Sequence, residues 1–285
     1  MKGHGLSHGA ATIVNAIAIG KGAAFGVDLR TEAWVELNDS GKVDVTIEGF
    51  RGESDELAKR CVINTLDRFN AGGRGASVKT RSQIPISRGL KSSSAAANSV
   101  VLATIQALGE ELDPFEAIKI GTKSAMEAKV SVTGAFDDAC ASLLGGIVLT
   151  DNFKRQLIRR ESMPAGMKVL IHVPQFRIRK QELPLRRIHS LSRLIDVAFA
   201  EAMAGRYAEA MMLNSFCYSA ALELDTKVMM DALQKGALAA GLSGTGPATA
   251  ILVEEEKTEG LLLALDGKDF IVADIYNGDD WRSKT

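Results

Sequence analysis

Hydrophobic and polar residues alternate in two neighbouring segments of the first fifty residues. The alternation runs through residues 31–39 (TEAWVELND) and again through residues 42–50 (KVDVTIEGF), and the turn-forming run Asn-Asp-Ser-Gly at residues 38–41 separates them. A period of two places successive side chains on opposite faces of a strand. The two segments are therefore predicted to pair as a β-hairpin. An apolar stretch, residues 11–19, precedes them and ends in a turn at residues 20–22.

Helical and extended patterns then succeed each other up to residue 151. Residues 54–70 have helical spacing, with Ser54 as the predicted N-cap. A helix of small residues is predicted from Ser92 to about residue 108, and another from the Asp113-Pro114 pair to about residue 130. Strands are predicted at residues 76–85 and 145–151. This succession lacks the even strand-helix rhythm of a doubly wound sheet.

The second half of the chain predicts a separate layer of structure. Strands are predicted at residues 167–174, 248–254 and 269–277. One long helical region is predicted at residues 191–221, with a break near Gly205. Two further helices are predicted, one that begins at Asp225-Thr226 and one at residues 257–265. This pattern predicts an α+β fold with two domains, residues 1–155 and residues 156–285.

Composition and charge narrow the classes of function. The chain has 285 residues, of which 46% are hydrophobic and 24% are charged, so it can bury a sizeable core. Its 34 Lys and Arg residues nearly balance its 35 Asp and Glu residues, which argues against nucleic acid or an anionic membrane as a partner. The basic residues between positions 177 and 193 are expected to form a solvated face. The three cysteines, Cys61, Cys140 and Cys217, lie far apart, which favours reduced thiols in a cytoplasmic protein.

The most informative segment is residues 84–99 (IPISRGLKSSSAAANS). Pro85 ends a strand, Gly89 permits a tight turn, and Ser92, Ser93 and Ser94 begin a helix. The start of a helix presents unpaired N–H groups and a partial positive charge, which together bind phosphate. Small residues there would let a phosphate chain approach closely. The alternative is a serine cap before a tightly packed alanine helix, and this segment alone does not decide between the two.

A second glycine-rich loop lies at residues 241–250 (GLSGTGPATA), directly before a predicted strand. Gly244 and Gly246 flank Thr245, so this backbone can adopt positive φ angles and lie against a ligand. Neither loop has the G-x-x-x-x-G-K-[ST] pattern of a P-loop or the G-x-G-x-x-G spacing of a dinucleotide site.

Taken together, the two loops resemble the second and third motifs of the GHMP kinases. The pattern P-x-x-x-G-L-x-S-S-[SA]-A occupies residues 85–95, and G-L-S-G-T-G-P occupies residues 241–247. Within that superfamily, residues 8–30 (HGAATIVNAIAIGKGAAFGVDLR) and 133–146 (TGAFDDACASLLGG) look most like the archaeal-type shikimate kinases. The resemblance implies an N-terminal domain with a left-handed βαβ crossover and a C-terminal ferredoxin-like α/β sandwich. It also implies transfer of the γ-phosphoryl group of ATP to the 3-hydroxyl of shikimate.

The resemblance implies a role for each matching residue. The first loop would wrap the triphosphate, and its residues are Pro85, Ile86, Ser87, Arg88, Gly89, Leu90, Lys91, Ser92, Ser93, Ser94 and Ala95. Gly244, Thr245 and Gly246 would steady the phosphates from the other side. Ser93 and Glu127 would hold Mg²⁺, and Asp137 would act as the base, although the assignment could slip to the adjacent Asp138. Lys91 stands where the family usually has Gly or Ser, and it is expected to be a surface lysine, with added charge near the phosphates as the alternative.

The resemblance places acceptor contacts in the N-terminal element and before Asp137. The substrate-binding candidates are Asn15, Lys21, Asp28, Thr133 and Gly134. Homoserine, pantoate or a mevalonate derivative stays open as the acceptor, because the ATP loops read phosphate only. A nucleotide-sensing regulator on the same fold and an oxidoreductase are the rival classes. A monomer or a small homo-oligomer is expected.

Overall fold

A computed structural model describes residues 1–49, 54–85, 88–131, 134–176, 178, 183–267 and 269–278. Three of the predicted site residues, Ile86, Ser87 and Thr133, lie outside the described residues. The same holds for Arg177, Arg179 and Lys180 of the basic segment, while Arg186, Arg187 and Arg193 are exposed, as expected of a solvated face. Within the described part of the chain, no helix is both long enough and apolar enough to cross a membrane.

The first sheet is built by the N-terminal half of the chain. Its six strands are β1 (Lys2–Val14), β2 (Lys21–Asn38), β3 (Val43–Ile47), β4 (Gly75–Ser82), β5 (Ile147–Asp151) and β6 (Gln156–Glu161). The strands are ordered β3-β4-β2-β5-β6, and β1 also pairs with β2. Every pair is antiparallel except β3 with β4, which is parallel.

The predicted hairpin between the two alternating segments is wrong. Both segments are strands, β2 and β3, but β4 lies between them and pairs with each. The chain leaves β3, forms helix α1 (Glu56–Arg68) and returns through β4 parallel to β3. Alternation fixes which face of a strand is buried but does not select its partner, and here a strand more than thirty residues away supplies the hydrogen bonds.

Four helices accompany this sheet: α1, α2 (Ser92–Leu108), α3 (Pro114–Glu127) and α4 (Phe136–Leu144). Helix α2 packs directly on β1, because Gly3 and Gly5 leave no side chain between the strand and the helix backbone. A Cβ at either glycine would overlap a carbonyl oxygen of α2, that of Ala103 or that of Ser99. This close packing explains the small residues of α2 and fixes where its first turn lies.

The second sheet contains β7 (Met167–His172), β8 (Ala239–Leu242), β9 (Thr249–Glu254) and β10 (Phe270–Asp274), in the order β10-β7-β9-β8. The helices of this half are α5 (Leu185–Ser190), α6 (Ser192–Met203), α7 (Tyr207–Leu222), α8 (Lys227–Gln234) and α9 (Thr258–Ala264). A helical region joins β7 to β8, a hairpin joins β8 to β9, and α9 precedes β10. When β7 is counted as the first strand, the order across the sheet is 4-1-3-2, which is that of a ferredoxin-like β-α-β-β-α-β unit. The sequence predicts three of these strands; β8, with four residues, is too short to show a pattern.

The two sheets share part of the hydrophobic core. Its largest cluster contains Phe25 and Ile147 from the first sheet together with Val169 and Tyr218 from the second half of the chain. Strand β6 begins at Gln156 and pairs with β5, so the first sheet continues past residue 155. The division into domains at residues 155 and 156 stays a prediction.

Candidate active site

The first turn of α2 is an open helix N-terminus. Lys91 precedes it with a left-handed backbone (φ 67°, ψ 27°), and no side chain caps the helix among the described residues. The amide of Ala95 donates to the Lys91 carbonyl at 3.0 Å, whereas the N–H groups of Ser92, Ser93 and Ser94 precede the first intrahelical bond. This turn therefore has the donors and the partial positive charge that suit an anion.

The two glycine-rich loops lie against each other. The Ser243 hydroxyl donates to the Gly89 carbonyl at 2.8 Å, and the Ala248 amide donates to the Arg88 carbonyl at 3.0 Å. Gly89 has a φ of 88°, and a Cβ there would overlap the Ser243 carbonyl oxygen. Glycine is therefore required at position 89 for both conformation and space.

The second loop is also tied to the N-terminal sheet. The Gly244 amide donates to the hydroxyl of the buried Thr12 at 2.8 Å. Thr245 is buried, and Gly246 has a φ of 78° with its amide donating to the Ser243 carbonyl at 2.9 Å. The fold thus brings together the two loops that are some 150 residues apart in sequence.

Asp137 lies in the first turn of α4 and is buried. Its Oδ1 accepts from the Asn152 amide at 2.8 Å, and the Asn152 Oδ1 accepts in turn from the Thr150 hydroxyl at 2.7 Å. The Oδ2 atom lies so close to Gly22 that a Cβ there would overlap it. The carboxylate is therefore held on one side by the end of β5 and given room on the other by a glycine of β2.

Burial raises the pKa of Asp137 to about 6, and the negative charge of Asp138 adds to this rise. Lys91 and the hydrogen bond from Asn152 oppose it. A carboxylate with a raised pKa is a stronger proton acceptor than an ordinary aspartate and is still ionised at neutral pH. The environment therefore suits a general base.

Lys91 is not a surface lysine, so that expectation is wrong. Only 6% of its side chain is exposed, and its Nζ lies 2.6 Å from Asp138 Oδ1, in an ion pair with a carboxylate that is 13% exposed. A Cβ on Gly244 would lie 3.2 Å from the same Nζ. The lysine thus connects the first turn of α2 with α4 and with the second glycine-rich loop.

Glu127 and Ser93 lie at the same end of a helix pair. Helices α2 and α3 are joined by residues 109–113 alone, so they run antiparallel, and Gly121 of α3 packs on Ala97 of α2. Ser93 precedes Ala97 by four residues and Glu127 follows Gly121 by six. At 1.5 Å per residue the two ends lie at similar heights along the pair.

A hydroxyl and a carboxylate at one helix end fit Mg²⁺. The ion prefers oxygen ligands and keeps several waters, so two protein ligands and phosphate oxygens complete its shell. In this structure the Glu127 Oε2 accepts from Asn64 Nδ2 at 2.9 Å, and Oε1 lies 3.7 Å from Lys123 Nζ. Within the described residues, no group of three or more His, Cys, Asp or Glu side chains could hold a metal by itself.

Two of the predicted acceptor residues are close in sequence to residues of the Asp137 site. Lys21 is exposed and directly precedes Gly22, and its Nζ lies 5.8 Å from the centre of the Phe199 ring. Gly134 is buried, has a φ of 80° and lies three residues before Asp137.

Asn15 is built into a turn that joins β1 to β2. Its Oδ1 accepts from the Ile17 amide at 3.0 Å, and its own amide donates to Asn214 Oδ1 at 3.0 Å. Tyr218 OH accepts from the Ala18 amide at 3.1 Å and donates to the Asn15 carbonyl at 3.3 Å. Two side chains of α7 therefore hold the turn formed by residues 15–18.

Asp28 lies apart from the other candidates. It is seven residues beyond Lys21 on β2, which is roughly 23 Å at 3.3 Å per residue. Its carboxylate accepts from Arg30 Nε at 3.0 Å and lies 3.5 Å from Nε2 of the buried His8. The fold therefore does not bring Asp28 to the Asp137 carboxylate.

Sequence reasoning missed Asn152, which orients Asp137. The signal was weak but present: a Thr-Asp-Asn run at residues 150–152 ends a buried strand, where polar side chains often face a site. It also missed Thr12, whose hydroxyl fixes the second loop, because one threonine in an apolar strand has no distinctive pattern.

Solved structures of known proteins share this fold over nearly its whole length. The homoserine kinase of Cytophaga hutchinsonii superposes with a TM-score of 0.77 at 18% identity, covering 97% of this chain and 96% of that one. The galactokinase of Lactococcus lactis superposes with a TM-score of 0.77 at 15% identity, covering 97% and 94%. The family model for the GHMP kinases N terminal domain matches residues 56–146. The fold is therefore that of the GHMP kinases, and the family model covers the first of the two loops.

Curated relatives show which group of GHMP kinases the chain is similar to. The chain is 49% identical to the shikimate kinase of Methanothrix thermoacetophila, over 90% of this chain and 86% of that protein. It is 42% identical to the shikimate kinase of Methanocella arvoryzae, over 98% and 96%. The chain belongs to this shikimate kinase family within the GHMP kinases.

Proposed function

We propose that this protein transfers the γ-phosphoryl group of ATP to the 3-hydroxyl of shikimate, giving shikimate 3-phosphate and ADP. The observation that carries the proposal is the position of Asp137, a buried carboxylate in the helix that Lys91 connects to the open first turn of α2. Relatives named shikimate kinase that match nearly the full chain support this acceptor.

Each part of the site has a role in phosphoryl transfer, which requires mainly alignment and neutralisation of charge. The amides at the start of α2 and the Gly244-Thr245-Gly246 segment would bind the triphosphate. Ser93 and Glu127 would hold Mg²⁺, which would supply positive charge to the triphosphate. Asp137 would accept the proton of the attacking hydroxyl.

The acceptor would lie between Asp137 and Lys21. Shikimate carries one carboxylate, and the exposed ammonium of Lys21 is the free-standing cation nearest in sequence to Gly22, against which the Asp137 Oδ2 lies. An ion pair between this ammonium and the shikimate carboxylate would orient the ring so that one hydroxyl faces the base. We further propose that the enzyme works in the cytoplasm, since its three cysteines are buried and unpaired.

A coupled assay of ADP release tests the proposal. The purified protein is mixed with MgATP and, separately, with shikimate, homoserine, pantoate and mevalonate. We expect turnover with shikimate and at most background release with the others. Faster turnover with another acceptor would replace the assigned substrate, and no acceptor-dependent release with any of the four would contradict the kinase assignment.

A further inference from the structure

Lys91 lies between the phosphate-binding turn and the base. Its backbone starts α2, and its side chain reaches away from solvent towards α4, where Nζ meets Asp138 at 2.6 Å. Asp138 directly follows Asp137 in the chain, so the ammonium contacts the residue next to the base. The ammonium thus belongs to the residue that starts the α2 turn and contacts the residue next to Asp137.

Fold stability does not explain this lysine. A left-handed backbone disfavours every residue that has a Cβ, and glycine would avoid the strain. Burial of an ammonium also costs solvation that one ion pair seldom repays. Strain that the surrounding structure maintains is often found where a group is held ready for chemistry.

The Lys91 ammonium has more N–H groups than its ion pair with Asp138 requires. A lysine has three N–H groups, and Asp138 is the one polar partner of the Lys91 ammonium among the described residues. Gly244 adjoins it without a side chain, and a Cβ there would lie 3.2 Å from Nζ. The remaining N–H groups can therefore reach an anion held between the two loops.

We propose that Lys91 is a catalytic residue whose ammonium donates hydrogen bonds to the γ-phosphoryl oxygens during transfer, while Asp138 keeps it in position. The proposal rests on the proposed function. In the step, the bond from the γ-phosphorus to the ADP oxygen breaks, the bond to the acceptor oxygen forms, and the hydroxyl proton goes to Asp137. Lys91 keeps all its protons and stabilises the charge on the three transferred oxygens.

The first test compares Lys91→Met with the double variant Lys91→Met/Asp138→Asn. We expect Lys91→Met to lower kcat by about 100-fold or more, as the loss of one preorganised donor does elsewhere. The double variant should stay as slow, although it no longer contains an unpaired buried carboxylate. Recovery of the double variant to near the wild-type kcat would overturn the proposal, because Lys91 would then be only a counter-ion for Asp138. If Lys91→Met fails to fold, the kcat of the double variant alone still tests the proposal.

The second test needs no acceptor. Binding of AMP-PNP and of ADP, both with Mg²⁺, is measured by calorimetry for the wild type, Lys91→Met and the control Lys119→Met, which removes a half-buried lysine of α3. We expect Lys91→Met to weaken AMP-PNP by about tenfold with ADP nearly unchanged, since a charge-assisted hydrogen bond to the γ-phosphate is lost. Equal weakening of both nucleotides, or of neither, would overturn the proposal. The comparison of AMP-PNP with ADP tests the role of Lys91 even if shikimate is not the acceptor.

Discussion

At the scale of single residues, Asp137 combines three features that seldom occur together at a solvated aspartate. It is buried, it lies two residues after the left-handed Ala135 in the first turn of α4, and it receives one oriented hydrogen bond from Asn152. Burial makes the carboxylate more basic, and the hydrogen bond keeps one oxygen fixed so that the other can face the acceptor.

Replacement of Asp137 by Asn should lower kcat by several orders of magnitude and leave MgATP affinity nearly unchanged, because the amide keeps the shape but cannot accept the proton. Steady-state kinetics and AMP-PNP binding measure the two effects. Asp231→Asn, on the surface of α8, is the control. Full turnover of Asp137→Asn would remove this residue from the mechanism.

The pH dependence follows from the same carboxylate. Its pKa is raised from 3.8 to about 6, and the base acts only when ionised, so kcat/KM should rise with pH up to about 6 and then level off. A folded pKa above the unfolded value means that protonated Asp137 favours the folded state and that this contribution is lost as the pH rises from about 4 through 6. Asp137→Asn should therefore match or exceed the wild type in thermal stability at pH 8. A less stable variant would contradict the assigned environment.

Glu127→Gln should increase the Mg²⁺ concentration needed for half-maximal rate, because an amide is a weaker ligand for a hard cation than a carboxylate. The control is Glu116→Gln, at the opposite end of the same helix, where the carboxylate pairs with Lys119 on the surface. A Mg²⁺ titration at saturating ATP compares the two. Identical titrations for Glu127→Gln and the wild type would remove the ligand role.

At the scale of elements, helix α7 organises the turn that carries Asn15. Asn214 and Tyr218 are one turn apart on α7, and both hydrogen-bond to the backbone of residues 15–18. The turn directly precedes Lys21 and Gly22 at the start of β2. Loss of these bonds should therefore disturb acceptor binding more than nucleotide binding.

Tyr218→Phe removes a hydroxyl that makes two of these hydrogen bonds, each with a typical net contribution of about 1 kcal/mol. We expect KM for shikimate to rise several-fold while the affinity for AMP-PNP stays close to that of the wild type. Tyr207→Phe is the matched control, since its hydroxyl bonds to Glu161 at the other end of the same helix. An unchanged KM, or equal effects of the two variants, would contradict the role of α7.

At the scale of the whole molecule, the two sheets depend on each other. The main hydrophobic cluster contains residues of both, the bridge between Val27 and Ile275 links them, and the loop contacts at Gly89 and Ser243 close the site between them. A hydrophobic cluster that both sheets share favours cooperative unfolding.

Thermal unfolding should therefore show one transition, and MgAMP-PNP should move the whole of it to higher temperature. A ligand at a hundred times its Kd stabilises the folded state by about 2.7 kcal/mol. Calorimetry with and without the nucleotide measures the shift. Two separate transitions, of which the nucleotide moves one, would show that the halves unfold independently.

The sequence by itself determined the helices, strands and loops that depend on residues close together in the chain. Helices α1 to α3 and α6 to α9 follow from periodicity and breakers, as do strands β5, β7, β9 and β10. The two loops were identified because glycine and serine at these positions serve a backbone conformation and a phosphate approach that few other residues allow. These features depend on residues close together in the chain.

Tertiary structure decided which distant segments meet. It placed β4 between β2 and β3, so the expected hairpin did not form, and it left Asp28 far along β2 from Asp137. It also turned Lys91 inward to Asp138 and put Asn152 beside Asp137. Strand pairing, burial and ion pairs depend on long-range contacts, and a pattern read along one chain contains no information on which remote group will supply the partner.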